Sequence, residues 1–215
     1  FFDPAWMFGV NGGFDVVIAN PPYVLVQTMT NERLKSYYRN KFVVAAYKVD
    51  LYHLFIEYGL RILNTSGVLS YINPSNFLTN QYVVKLREML LNQERVQHII
   101  NIEDNVFSAN VNTCIIQVLK GKELNYTLNY IKGNICDGLL ELKHLSSISQ
   151  SRYLQNDGFI IQPIGNSIEE NILQKIENCS IPLNSYATVN FGMQLRNRKL
   201  FPQDVLKDPS LKDLT

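Results

Sequence analysis

Apolar residues recur along this chain in short blocks whose spacing switches between two periods. Val16-Val17-Ile18-Ala19 is continuously apolar and predicts a strand over Phe14 to Ala19, buried on both faces. Asn20-Pro21-Pro22 ends it, because proline has no N–H to give to a strand ladder. From Val49 to Leu63 (VDLYHLFIEYGLRIL), Leu51, Leu54, Phe55, Tyr58 and Ile62 share one helical face, and Asp50 near the start suits the helix dipole. Asn64-Thr65-Ser66-Gly67 closes that helix, and VLSYI at Val68 to Ile72 predicts the next strand. A second helix is expected from Asn80 through YVVKLREMLL, with strands at Val96 to Ile102 and Thr113 to Leu119. Strand, helix, strand, helix, strand is the order of a doubly wound α/β sheet.

From about Gly121 the texture changes to short polar-aromatic pieces such as NYTLNYI and GFIIQP, richer in Asn, Ser and Gln. A boundary is therefore expected between Leu119 and Asn125, dividing residues 1–121 from a smaller α+β segment over 122–215. Within the latter, Asn166 to Asn178 (NSIEENILQKIEN) predicts an amphipathic helix, with Asn166 or Ser167 as cap and acids in its first turn.

Composition narrows the function classes. At 215 residues and 46% apolar, the chain can bury a real core. Its net charge of +1, from 20 basic and 19 acidic residues, provides no global field toward nucleic acid or membrane, so any polyanion must be met by local patches. Cys114, Cys136 and Cys179 are far apart, as are His53, His98 and His144, which argues against a metal site and for free thiols in a reducing cytoplasm. No run of 18 apolar residues is present, so no membrane span is expected. FFDPAWMFGV has an early acid and no basic n-region, unlike a signal peptide, and no initiator methionine, as in a fragment or processed chain.

Asn20-Pro21-Pro22-Tyr23 is the stretch that carries chemistry. In open α/β sheets ligands bind beyond the carboxyl ends of strands, where these residues fall. The Asn20 side-chain oxygen is a neutral acceptor, and the Pro21 carbonyl is a second one, restricted in direction by Pro22. Two fixed acceptors side by side suit an NH₂ group on a planar ring or acyl carbon. Holding both hydrogens favours a pyramidal nitrogen and stabilises the positive charge that develops as it attacks. Such hydrogen bonds contribute about 1.5–3 kcal/mol each. Losing one preorganised group costs on the order of 10²–10³ in rate. Tyr23 can stack on the ring, a contact worth about 1–3 kcal/mol per base. A site for methylating an amino nitrogen is implied; a strand-ending turn with a core tyrosine is the bland alternative.

FFDPAWMFGVNGGFDVVIANPPYV resembles the segment around catalytic motif IV of amino-group DNA methyltransferases, with the adenine-N6 enzymes fused to type IIG restriction endonucleases, or found in phage-exclusion systems, the nearest group. KVDLYHLFIEYGLRIL and GVLSYINPSNFL resemble the helix and strand that follow it, and NVFSANVNTCIIQVLK resembles motif VIII. The resemblance spans about residues 1–120 and continues more weakly into LQKIENCSIPLNSYATVNFGMQLRN, which is similar to the start of a target-recognition domain. It implies the C-terminal half of a Rossmann-like methyltransferase sheet and methylation of a flipped adenine in double-stranded DNA, within a restriction-modification or phage-defence enzyme. By position, Asn20 and Pro21 would accept the amino group and Tyr23, with Pro22 beside it, would meet the base. Phe107 would supply the opposite aromatic contact, and Asp3 would lie near the cofactor adenine.

That family holds S-adenosylmethionine with a glycine-rich loop and a strand-ending acid ahead of motif IV. Gly12-Gly13 precedes a strand and is the wrong context for such a loop. The chain alone is therefore expected to bind the cofactor weakly and not to methylate. The strand at Phe14 to Ala19 is expected to leave an open apolar edge that favours self-association. Arg196, Arg198 and Lys199, beside Phe191 and Gln194, are candidates for DNA contact. Arg33, Lys35, Tyr37, Tyr38 and Arg39 are candidates for the DNA backbone. Three other readings stay open: glutamine methylation in a protein, guanine-N2 methylation of RNA, and a non-catalytic DNA-recognition or assembly module.

Overall fold

The helix at Leu51–Ile62 starts at Asp50 because that residue leaves the helix in extended conformation while its backbone N–H is taken by His53 Nδ1 at 3.2 Å. This is the reciprocal half of a capping box, with histidine in the place usually held by Glu or Gln. The computed structural model describes residues 4–45, 48–102, 106, 112–123, 125–163, 171–172, 175–176 and 178–187. Among them, helices α1 (Pro4–Phe8), α2 (Glu32–Lys41), α3 (Leu51–Ile62), α4 (Val84–Gln93) and α5 (Gln150–Tyr153) accompany six strands. The strands are β1 (Phe14–Ala19), β2 (Leu63–Pro74), β3 (Arg95–Ile102), β4 (Thr113–Leu119), β5 (Thr127–Cys136) and β6 (Leu139–Ser149).

These strands form one sheet in the order β1-β2-β4-β3-β5-β6. β1 runs parallel to β2 (Ala19 opposite Tyr71) and β3 parallel to β5, whereas β4 is antiparallel to both β2 and β3. Burial alternates along β4: Cys114, Ile116 and Val118 are fully buried, while Ile115, Gln117 and Leu119 are half-buried. One sheet face thus carries most of the core, where Leu69 and Tyr71 of β2 and Ile99 of β3 join Leu54, Ile56 and Leu60 of α3 and Leu86 and Leu90 of α4.

β1 departs from the doubly buried strand that its apolar run predicts. It is the edge of the sheet, and Val16 and Ile18 are 54% and 76% exposed. β2 begins at Leu63, directly after α3, so Asn64-Thr65-Ser66-Gly67 is strand and not loop. α4 starts at Val84, later than expected, because Ser75–Leu78 forms a 3₁₀ turn and the Asn80 side chain accepts from the Tyr82 N–H at 2.8 Å. The change of texture near Gly121 coincides with the end of β4 but not with the end of the sheet, since β5 pairs onto β3. The first compact unit runs to Glu170; the second covers Asn171–Thr215, where the described residues include short helical pieces and a 3₁₀ turn at Leu183–Ser185. Residues 171–172, 175–176 and 178 of the helix expected over 166–178 are helical, and the rest of that span is outside the described residues.

Candidate active site

Parallel pairing brings the carboxyl ends of β1 and β2 together, and an Asn-Pro marks each: Asn20-Pro21 directly follows β1 and Asn73-Pro74 closes β2. The two asparagines have opposite fates. Asn73 is fully buried and its Nδ2 donates to the Tyr71 carbonyl at 3.2 Å, whereas Asn20 is exposed. Pro21 is buried, Pro22 is exposed and Tyr23 is half-buried. The pair of prolines turns the chain away from the sheet, and the chain returns in a short antiparallel bridge between Leu25 and Asp50, with Val26 N–H bonded to the Val49 carbonyl at 2.8 Å.

Tyr23 joins the two strand ends. Its hydroxyl lies 3.0 Å from Asn20 Oδ1 and 3.0 Å from the Ile72 carbonyl. One proton serves two acceptors here, so Asn20 Oδ1 keeps acceptor capacity for a second donor. Burial, and then the thiol of Cys114 and the carboxyl of Asp50, push the Tyr23 hydroxyl up to about 12, so it stays a neutral donor across the physiological range. Its ring meets Tyr52 edge-on at 6.0 Å, and the Tyr52 hydroxyl, also pushed up by burial, donates to Asn76 Oδ1 at 3.2 Å. Tyr52 and Asn76 were not legible as site residues from the chain alone. The available signal was the second Asn-Pro, which places Asn76 at the same sheet end as Asn20.

The structure brings Asn20, Pro21, Pro22 and Tyr23 together at one sheet edge. On α2, Arg33, Tyr37 and Arg39 are exposed, Tyr38 is half-buried, and Lys35 is held by Glu32 at 2.7 Å. Asn31 caps this helix by accepting from the Leu34 N–H at 3.1 Å. Asp3, Phe107, Arg196, Arg198 and Lys199 lie outside the described residues.

Residues 1–107 match the profile of the family described as "Eco57I restriction-modification methylase". The type II restriction enzyme and methyltransferase RM.Eco57I of Escherichia coli is 30% identical over 172 residues, covering 78% of this chain and 17% of that protein. The type II methyltransferase M.BstVI of Geobacillus stearothermophilus is 29% identical over 119 residues, covering 55% of this chain and 21% of its own length. The chain thus spans about a fifth of these relatives. Among solved structures, the type IIG restriction endonuclease BpuSI superposes with a TM-score of 0.55 at 20% identity, covering 93% of this chain and 27% of that one. A type I restriction-modification methyltransferase subunit from Streptococcus thermophilus gives 0.54 at 17% identity, covering 72% and 38%. These two likenesses show the fold alone, a Rossmann-like α/β sheet. Over residues 1–107, about half of its length, this chain belongs to the Eco57I restriction-modification methylase family.

Proposed function

We propose that this chain is the amino-group-binding part of a longer site-specific DNA methyltransferase of a restriction-modification or phage-defence system, acting on the N6 nitrogen of a flipped adenine. The observation that carries the reading is the exposed Asn20 acceptor, tied through Tyr23 to the carboxyl end of β2. Asn20 Oδ1 and the Pro21 carbonyl accept the two amino hydrogens, and the Tyr23 ring lies against the base. As nitrogen becomes positive, both acceptors stabilise it, and no strong base is required. Exposed Arg33 and Arg39 on α2, with Arg196, Arg198 and Lys199, neutralise DNA phosphates. Residues 122–215 lead into target recognition.

S-adenosylmethionine is the methyl donor of the proposed enzyme. The described residues do not fit it by themselves: the edge of β1 offers Val16 and Ile18, no glycine-rich strand-to-helix loop is among them, and the acid that follows β5, Asp137, belongs to a hairpin turn. The chemistry assigned to this chain is therefore limited to holding and polarising the amino group. Calorimetry with the 215-residue chain is expected to show no micromolar binding of the cofactor.

The test is methyl transfer to DNA by this chain fused behind the cofactor-binding segment of RM.Eco57I. Transfer giving N6-methyladenine is expected, with Asn20→Ala slowing it by about 10²–10³. Tyr23→Phe, which keeps the ring and removes the hydroxyl link, should cost roughly tenfold. Label found on protein glutamine and not on DNA would replace this reading with a glutamine methylase.

A further inference from the structure

A concavity opens at the same sheet end, beyond β2. Its volume is about 620 Å³, and its lining includes Asn76, Thr79, Asn101, Asn112 and Gln162, with the buried Tyr130. No lysine, arginine, aspartate or glutamate is among its described lining residues. Asn101 sits near the carboxyl end of β3, Asn112 just ahead of β4, and Asn76 and Thr79 just after β2. The volume falls in the range of roughly 300–1,000 Å³ typical of small-molecule sites.

The walls of this cavity are fixed from inside. Arg87 is fully buried, and its guanidinium makes four hydrogen bonds to main-chain carbonyls. Nη1 donates to Phe77 at 2.6 Å and Asn80 at 2.9 Å, while Nε and Nη2 donate to Gly158 at 2.9 and 2.7 Å. One side chain thereby clamps the turn carrying Asn76 and Thr79 to the turn that precedes Gln162. The Ile161 N–H closes the same joint on the Leu78 carbonyl at 2.9 Å, and the Ser75 N–H binds the Asn112 carbonyl at 2.9 Å. Burying a guanidinium is costly unless its donors are satisfied. Here they are used to hold a cavity open between segments far apart in sequence.

We infer that this cavity binds a nucleobase. Carboxamides offer donors and an acceptor together, which matches the mixed edge of a heterocyclic base; Asn and Gln read adenine in this way. Among the described lining residues there is no cation to hold a phosphate and no carboxylate to hold a cation, so carboxamides supply the polar chemistry of the cavity. The Tyr23–Tyr52–Asn76 contacts connect the cavity to the site at Asn20. The base can come from a DNA strand or from a free nucleoside, since both present the same edge. In the first case the inference rests on the proposed DNA substrate, and the cavity holds a base other than the one that faces Asn20.

Side-chain NH₂ resonances of the isotopically labelled 215-residue chain read this directly. The probes are the four deoxynucleosides, inorganic phosphate, and a single strand of about eight nucleotides, within the roughly 4–16 that one binding fold tracks. Shifts at Asn76, Asn101, Asn112 and Gln162 are expected. Shifts with the strand alone assign the base to DNA, and shifts with nucleosides alone assign it to a free ligand; both support the site. Asn101→Ala and Asn112→Ala should each weaken binding roughly fivefold to tenfold. Thr79→Ala, at an exposed position, is the companion should either asparagine variant fail to fold. Shifts confined to Asn20 would overturn the inference and leave the methylase reading intact. Equal shifts with phosphate, or none at the cavity with any probe, would also overturn it. Failure of the fused protein to methylate DNA would remove the methylase reading alone.

Discussion

His53 is a titratable ring in a place with no room for charge. It is buried, its Nδ1 accepts from the Asp50 N–H, and burial, with Arg87 nearby, pushes it down to about 4 from 6.5. Asp50 and Tyr52 are its other ionisable neighbours, and burial pushes the carboxyl of the one and the hydroxyl of the other up from their usual ranges. Between pH 6.5 and 4 the unfolded chain binds a proton at His53 that the folded chain refuses. Stability associated with this group is therefore complete above pH 6.5 and is lost as pH falls toward 4, by at most about 3 kcal/mol. His53→Gln keeps a side chain able to complete the capping box and removes the titration. Denaturant unfolding at a series of pH values should show a flatter acid limb for this variant. If both proteins lose equal stability from pH 6.5 to 4, other groups govern the acid limb.

At the scale of elements, α3 and β2 meet at a glycine. A methyl group added at Gly59 would lie 2.5 Å from the Tyr71 hydroxyl oxygen and 2.7 Å from Leu69 Cδ1. Alanine gains about 1 kcal/mol of helix propensity over glycine, but overpacking costs about 1–3 kcal/mol, and the core side chains here are buried. Gly59→Ala should therefore destabilise, by about 1 kcal/mol net, measured as a lower denaturation midpoint; a raised midpoint would show that α3 can shift. The elements legible in sequence were those with strong periods: β3 and β4 fall within a residue of their predicted limits, and α3 within two. The β5–β6 hairpin was missed because its strands mix Asn, Ser and Lys with apolar residues. Its turn is nevertheless marked by Asp137-Gly138, both at positive φ (52° and 77°), the dipeptide that tight hairpins favour. At the site, Asn20 to Tyr23 could be read because a polar motif interrupts an apolar strand. Tyr52 and Arg87 could not, since their roles depend on partners 24 and 71 residues away.

For the molecule as a whole, β1 lies at the margin of the sheet among the described residues, and its exposure leads to an expectation about behaviour in solution. Val16 and Ile18 stand 54% and 76% exposed on a strand whose other side is paired to β2. An unpaired ladder bordered by apolar side chains is a template for another strand, and charge along such an edge is the usual protection. Asp15 is the acidic residue within β1, and its carboxylate is already engaged by Asn64 Nδ2 at 2.5 Å. The edge thus has both the hydrogen-bonding groups and the apolar surface for association, with little charge to oppose it. The 215-residue chain is expected to self-associate as concentration rises, seen as a mass above 24.7 kDa in light scattering. Ile18→Lys should shift the population toward monomer, because pairing would then bury an ammonium group. The change lies on the exposed side of an edge strand, so folding should be retained, as circular dichroism would confirm. A wild-type chain that stays monomeric at every concentration would show that the margin of β1 is covered within the chain itself.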